Sequence, residues 1–200
     1  GDRRALNSQA DVDSFEINLG GGARMLLMAA NGYVRGRTTR VPQVTTQNER
    51  SLSFLLSYGG FDYLISGDMI GRAAGAENAQ VERAVGEALV AMDVHVDVLH
   101  VDHHGADNGS EARFLALIQP EIAIISAGNG NAHGHPTLPA LRRLVASGVR
   151  RIIQTEWGAT RSAIPADIRA VQAIYQDDIV ITTDGASYEI STRRRYPTDD

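Results

Sequence analysis

The order of apolar and polar positions along the chain is typical of a mixed α/β protein. Three pairs of strand-like runs surround turn signals, at residues 20–22, 59–60 and 184–185, which predicts hairpins. Between them apolar residues recur every three or four positions, which predicts amphipathic helices. The predicted strands are residues 15–19, 24–29, 51–58, 61–66, 94–101, 122–126, 151–155, 179–183 and 187–192, and the predicted helices are residues 77–92, 111–118, 137–147 and 165–175.

Three polar segments lack such a period. Residues 1–14 are expected to be disordered or introduced by cloning, and residues 193–200 form a polar tail. Residues 31–50 are predicted to be a long surface loop. The chain between the ends, residues 15–192, is predicted to form one domain with two sheets and helices outside them.

Composition excludes several classes of protein. The 200 residues include no cysteine, so disulfide scaffolds and thiolate zinc sites are excluded. No apolar run reaches the roughly 18 residues that a membrane span needs. The net charge is −5 and all 19 basic residues are arginine, so strong non-specific binding to nucleic acid is not expected. The arginines are better explained by codon usage than by phosphate recognition.

Polar side chains follow three of the predicted strands. They are Gly67-Asp68, His103-His104-Gly105 and the glycine-rich segment 126–136, which carries two more histidines. The ends of such strands converge on one edge of an α/β sheet, where ligands bind. Carboxylate and imidazole groups at one edge favour metal-assisted hydrolysis.

Each of these residues has a structural alternative. Asp68 could cap the turn that follows it, and the histidines of segment 126–136 could be solvated. Adjacent residues of a strand point to opposite faces, so only one of His103 and His104 would bind a metal unless the chain bends. His95 and His100 lie inside a predicted strand and are interpreted as structural.

The order of these motifs resembles a known family. Residues 48–51 (Asn-x-x-Ser) precede Gly67-Asp68, then His103-His104-Gly105, the Gly-His-Pro segment 134–136 and residues 155–158 (Thr-x-x-Gly). This series is similar to the metallo-β-lactamase fold. More narrowly, it resembles the hydrolase domain of the ComEC competence proteins and their secreted stand-alone relatives. The resemblance covers about residues 48–192 and implies the C-terminal portion of an αββα sandwich.

The resemblance also implies roles for individual residues. Asp68 and His104 would bind metal, in a two-zinc site or with Mn²⁺, and the roles of His103 and His104 could be exchanged. His103 and His135 would be catalytic, and Asn131 and His133 would contact substrate; these six residues are the candidate site. The implied substrate is a phosphodiester, in DNA or RNA.

The chain departs from the family pattern in one important respect. The ligand motif His-x-His-x-Asp-His is absent, and no histidine precedes His95. The missing half of the fold, or a dimer partner, is expected to cover the sheet, and this chain alone is expected to be inactive. The alternatives are a hydrolase of another ester, such as a phosphorylcholine ester or a lactone, and a binding module that has lost its metal.

Two arginine-bearing segments, residues 35–40 and 193–195, could contact nucleic acid or simply be solvated. The cysteine-free composition and the resemblance favour a location outside the cytoplasm.

Overall fold

A nine-stranded mixed sheet lies at the centre of the computed structural model, which describes residues 5–42, 44–71, 81–159 and 164–193. The strands are β1 (Glu16–Gly20), β2 (Ala23–Ala30), β3 (Tyr33–Val34), β4 (Ser53–Tyr58), β5 (Phe61–Ser66), β6 (Val98–His100), β7 (Ile122–Ile125), β8 (Arg151–Gln154), β9 (Gln172–Ile174), β10 (Asp178–Thr183) and β11 (Tyr188–Arg193). The helices are α1 (Gln9–Ser14), α2 (Val81–Ala91), α3 (Ala112–Ile118), α4 (Leu138–Ala146) and α5 (Ala166–Val171).

The direction of the strands follows from the connections between them. Strands β1, β2, β4 and β5 are antiparallel neighbours, and β3 pairs with β2. Strands β5 to β9 are parallel neighbours in chain order, with helices α2 to α5 on the four crossovers. Short turns allow antiparallel pairing, whereas parallel pairing needs a crossover. The predicted mixed α/β class is confirmed.

The two faces of the large sheet are covered differently. Helices α2 to α5 pack on one face, where the largest core includes the buried side chains of Leu99, Phe114 and Leu141. The hairpin β10–β11 packs on the other face of the parallel strands, with the rings of Tyr188 and Phe61 5.2 Å apart. The three-layer arrangement leaves the carboxyl ends of the parallel strands at one edge of the sheet.

The amino-terminal segment is more ordered than the sequence suggested. Residues 9–14, expected to be disordered, form helix α1. Ser8 and Asp11 make a reciprocal capping box, and Val12 is fully buried against β2. The capping pair and the single apolar anchor explain why this short helix forms despite its polar composition.

The prediction of a surface loop over residues 31–50 is wrong in part. Val34, Val41 and Val44 are buried in the main core, where the segment is held against the turn after β2 by contacts such as Val41 N–H to Gly32 O at 2.9 Å. Arg35 is structural. Its guanidinium donates at 2.7–2.9 Å to four backbone carbonyl oxygens, those of Val12, Asp13, Phe15 and Leu27. These contacts weaken the interpretation of this arginine as a contact for nucleic acid.

The prediction of one helix over residues 165–175 is also wrong in part. Helix α5 ends at Val171, and residues 172–174 form β9, a parallel neighbour of β8. Residues 172–174 make backbone hydrogen bonds with the open edge of β8. These bonds satisfy the same N–H and C=O groups that a further helical turn would satisfy. The first predicted turn of α2 and the arginines at 194–195 lie outside the described residues.

Among the described parts of the chain, no helix is both long enough and apolar enough to cross a bilayer.

Candidate functional site

The candidate residues lie at the edge formed by the carboxyl ends of β5, β6 and β7. Asp68 follows β5, and the histidine turn (residues 102–110) follows β6. The glycine loop (residues 126–136) follows β7. The backbone joins these segments, because His103 N–H donates to Gly67 O at 3.2 Å and Thr137 N–H donates to Gly105 O at 2.8 Å. Adjacent parallel strands therefore bring the three sequence motifs together.

The backbone of the histidine turn bends sharply at its two histidines. His103 has φ 51° and ψ 41°, and His104 has φ 54° and ψ 23°, so both are left-handed. Each such residue costs about 1–2 kcal/mol for a side chain with a Cβ atom. The bend removes the alternation of a strand, so the two imidazoles are not forced to opposite faces of the sheet.

His104 is held beside Asp68. Its Nδ1 lies 2.8 Å from Ser126 O, and its Nε2 lies 3.2 Å from Asp68 Oδ1. A carbonyl oxygen only accepts, so Nδ1 carries a proton; Nε2 donates to the Asp68 carboxylate when the ring is protonated and offers its lone pair to a cation when the ring is neutral. Both side chains are about half exposed. The arrangement presents a nitrogen and a carboxylate oxygen together at an accessible edge.

His103 has both ring nitrogens in contact with side-chain amides. Its Nδ1 lies 3.0 Å from Asn108 Oδ1, and its Nε2 lies 3.3 Å from Asn48 Nδ2. The amide oxygen accepts from Nδ1–H, and Nε2 accepts from the amide of Asn48. His103 is therefore tied into a protein network that His104 does not share.

The two histidines of the glycine loop extend the cluster. The ring of His135 lies edge-on to that of His103 at 5.4 Å and stacks on that of His133 at 5.9 Å. The Nδ1 atom of His135 is buried and has no hydrogen-bond partner among the described residues. Burial lowers the pKa of His135, and the neighbouring imidazoles of His103, His133 and His104 lower it further.

Asn131 holds the shape of the glycine loop. Its Nδ2 donates to the carbonyl oxygens of His135 at 2.6 Å and Gly128 at 2.9 Å, and its Oδ1 accepts from His135 N–H at 2.9 Å. The side chain that the sequence assigns to substrate binding is thus used within the loop. A second tie comes from Thr155, whose hydroxyl donates to Ala127 O at 2.9 Å.

A buried pair of carboxyl groups supports the histidine turn. Asp102 and Glu82 are both fully buried, and Glu82 accepts from the N–H groups of Ser110 at 2.6 Å and Glu111 at 2.8 Å. Burial raises the pKa of Glu82 to about 7. Burial, and next the charge of Glu82, raise the pKa of Asp102 well above its usual value. Sequence reasoning missed Glu82, because it lies on α2 and no spacing links it to the histidines.

His100 is structural, as predicted. Its Nδ1 lies 3.2 Å from Ser66 O, and its Nε2 lies 3.0 Å from Ser126 Oγ. Burial lowers the pKa of its imidazole, so the neutral form is favoured. The same prediction is wrong for His95, which precedes β6, is largely exposed and lies 3.6 Å from Asp97, before the amino end of that strand.

The donor set fits part of a metal centre. Two ligands of a tetrahedral zinc ion lie roughly 3.3 Å apart, given bonds of about 2.0–2.1 Å to nitrogen and oxygen. The separation of 3.2 Å between His104 Nε2 and Asp68 Oδ1 agrees with that value. The described residues hold no group of three or more histidine, aspartate or glutamate side chains that could hold a metal ion.

The sequence is similar to three competence- and recombination-related proteins. It is 29% identical over 119 residues to ComE operon protein 3 of Bacillus subtilis, covering 60% of this chain and 14% of that protein. It is 28% identical over 134 residues to competence protein ComA of Neisseria gonorrhoeae, covering 64% of this chain and 18% of that protein. It is 32% identical over 98 residues to recombination protein 2 of Haemophilus influenzae, covering 48% of this chain and 11% of that protein.

The chain thus spans less than a fifth of the length of these relatives. No family model matches it. The predicted resemblance to competence proteins is confirmed at the level of the sequence, and the chain is a distant homologue of proteins of that kind.

Proposed function

We propose that this chain is part of a metal-dependent hydrolase of the metallo-β-lactamase type, which cleaves phosphodiester bonds of nucleic acid during DNA uptake. The observation that carries the proposal is the placement of His104 Nε2 3.2 Å from Asp68 Oδ1 at the edge of the sheet. Two lone-pair atoms held this close favour a shared cation between them. The similarity to competence proteins supports the DNA-uptake role.

Asp68 and His104 would hold the metal ion, zinc or manganese, together with ligands that the described residues do not supply. The bound ion would activate water and offset negative charge on the phosphate. Ser126 O fixes the tautomer of His104 through Nδ1–H, which leaves Nε2 available as a ligand. His133 and His135 lie on the same edge, where they are candidates for contact with substrate.

Zinc titration of the chain by calorimetry tests the proposed ligands. We expect weak binding, because two protein ligands do not complete a tetrahedral site. Asp68→Ala or His104→Ala should each weaken binding at least tenfold, whereas His95→Ala, at an exposed histidine outside the site, should not. Zinc binding that is unchanged by both site variants would contradict the proposal, as would the absence of binding to the unaltered chain.

The same preparations, incubated with single-stranded DNA and zinc or manganese, test the activity. We expect little or no cleavage by this chain alone. Cleavage that survives Asp68→Ala would refute the assignment of Asp68 to the metal. DNA binding with a steep salt dependence, without zinc binding, would instead favour the binding module. The intrinsic fluorescence of Trp157, the chain's only tryptophan, should report binding close to the glycine loop, because the backbone N–H of Trp157 donates to Asn129 Oδ1 at 3.1 Å.

A further inference from the structure

The side chain of Arg143 ties the second half of the histidine turn to helix α4. Its Nη2 donates to the carbonyl oxygens of Asp107 at 2.7 Å and Gly109 at 2.9 Å, and its Nε donates to Ser110 O at 3.2 Å. Its Nη1 lies 3.0 Å from Asp107 Oδ1. The planar guanidinium thus binds several carbonyl oxygens of the second half of the turn at once. It holds them against α4, which begins directly after the glycine loop.

Asn108 lies within the segment that Arg143 holds. Its backbone carbonyl accepts from Gly71 N–H at 3.0 Å, which links it to the chain beyond Asp68. Its side-chain Oδ1 lies 3.0 Å from His103 Nδ1. The backbone that carries Asn108 is therefore held by Gly71 and, through the carbonyl oxygens of the adjacent residues, by Arg143, and from it the side-chain amide meets His103.

The contacts with Asn108 and Asn48 both favour a proton on Nδ1 of His103. Oδ1 is an acceptor, so Nδ1 must donate and Nε2 of the neutral ring must accept. Asn48 Nδ2, at 3.3 Å, is the donor that Nε2 meets in this structure. An accepting Nε2 suits a water molecule or a hydroxyl group, whereas a phosphate oxygen needs a donor.

We propose that Asn108 and, through it, Arg143 are positioning residues that hold His103 in its Nδ1–H tautomer, so that Nε2, which accepts from Asn48 in this structure, would accept from the attacking water once Asn48 is displaced rather than donate to phosphate. The role toward substrate rests on the proposed function. The tautomer itself requires neither metal nor nucleic acid, so it can be tested independently.

Long-range ¹H–¹⁵N NMR of the metal-free chain at about pH 8 reports the tautomer, and His103→Gln assigns its signals. We expect the Nδ1–H form to predominate. Asn108→Ala should raise the Nε2–H fraction measurably, because the acceptor at Nδ1 is lost and only the donor contact of Asn48 still favours Nδ1–H. Asn108→Asp should keep Nδ1–H, because a carboxylate also accepts. Predominance of Nε2–H in the unaltered chain, or no change in Asn108→Ala, would overturn the proposal.

Arg143→Ala should shift the tautomer in the same direction by a smaller amount. Arg142→Ala is the matched control, because Arg142 is the adjacent, exposed arginine of the same helix. If Arg143→Ala does not fold, Arg143→Lys replaces it, since lysine keeps the charge but loses the planar set of donors. A tautomer unchanged in the folded Arg143 variant, as in Arg142→Ala, would overturn the part assigned to Arg143.

Discussion

The two segments that carry the candidate histidines are built in opposite ways. The histidine turn has left-handed residues at its centre and is anchored by Glu82 and Arg143, which lie on separate helices. The glycine loop is tied to the segment after β8 through Ala127 and Asn129 and is held internally by Asn131. An added Cβ atom at Gly128, Gly130 or Gly134 would nevertheless have no neighbour within 4 Å. Strained backbone persists only where its surroundings over-determine it. The first segment therefore suits the fixed placement of a ligand, and the second suits adjustment to a substrate.

The largest expected difference between the two segments is in their pH dependence. The pKa of Glu82 is raised to about 7, so between about pH 4.5 and 7 the folded chain binds more protons than the unfolded one. The free energy of unfolding should fall by on the order of 3 kcal/mol across this window as the pH rises. Glu82→Gln should reduce this pH-dependent loss of stability in urea denaturation and leave the part that comes from buried Asp102, whereas the exposed Glu87→Gln should leave the whole of it.

His135 of the glycine loop should give the opposite sign. Its pKa is lowered, so the unfolded chain binds more protons and stability is lost as the pH falls through the usual histidine value of about 6.5. His135→Gln should reduce this loss. If both variants changed the slope of unfolding free energy against pH in the same direction, the contrast between the segments would be wrong.

A second test adds one methyl group to each segment. A Cβ atom at Gly109 would lie 2.7 Å from Asp102 O and 3.2 Å from His103 Cβ, so Gly109→Ala should destabilise the chain by about 2 kcal/mol. A Cβ atom at Gly128 would have no neighbour within 4 Å, so Gly128→Ala should change stability by at most about 0.5 kcal/mol. Equal losses in urea denaturation would show that the glycine loop is packed as tightly as the histidine turn.

The sequence predicted the features that depend on the order of residues within one segment of the chain. Asp68, the two adjacent histidines and the glycine loop were placed at strand ends because each follows an apolar run. Strand β9 was missed because its pairing with β8 is a tertiary interaction that no local period encodes. Asn108 and Arg143 were missed for the same reason, since Arg143 reaches the turn from a helix more than thirty residues later. The different surroundings of His103 and His104 depend on left-handed backbone, which their sequence does not indicate.

The smallest effect concerns the strain at His104. Its φ of 54° costs a residue with a Cβ atom about 1 kcal/mol more than glycine. His104→Gly should therefore be about 1 kcal/mol more stable than His104→Ala in urea denaturation. His133 of the glycine loop is not among the residues with positive φ, so His133→Gly should be no more stable than His133→Ala. Since all four variants remove an imidazole, the difference within each pair isolates the backbone. If the glycine variant were more stable than the alanine variant at both positions, the strain would not be specific to the histidine turn. If it were more stable at neither, the turn would relax once His104 no longer contacts Asp68 and Ser126.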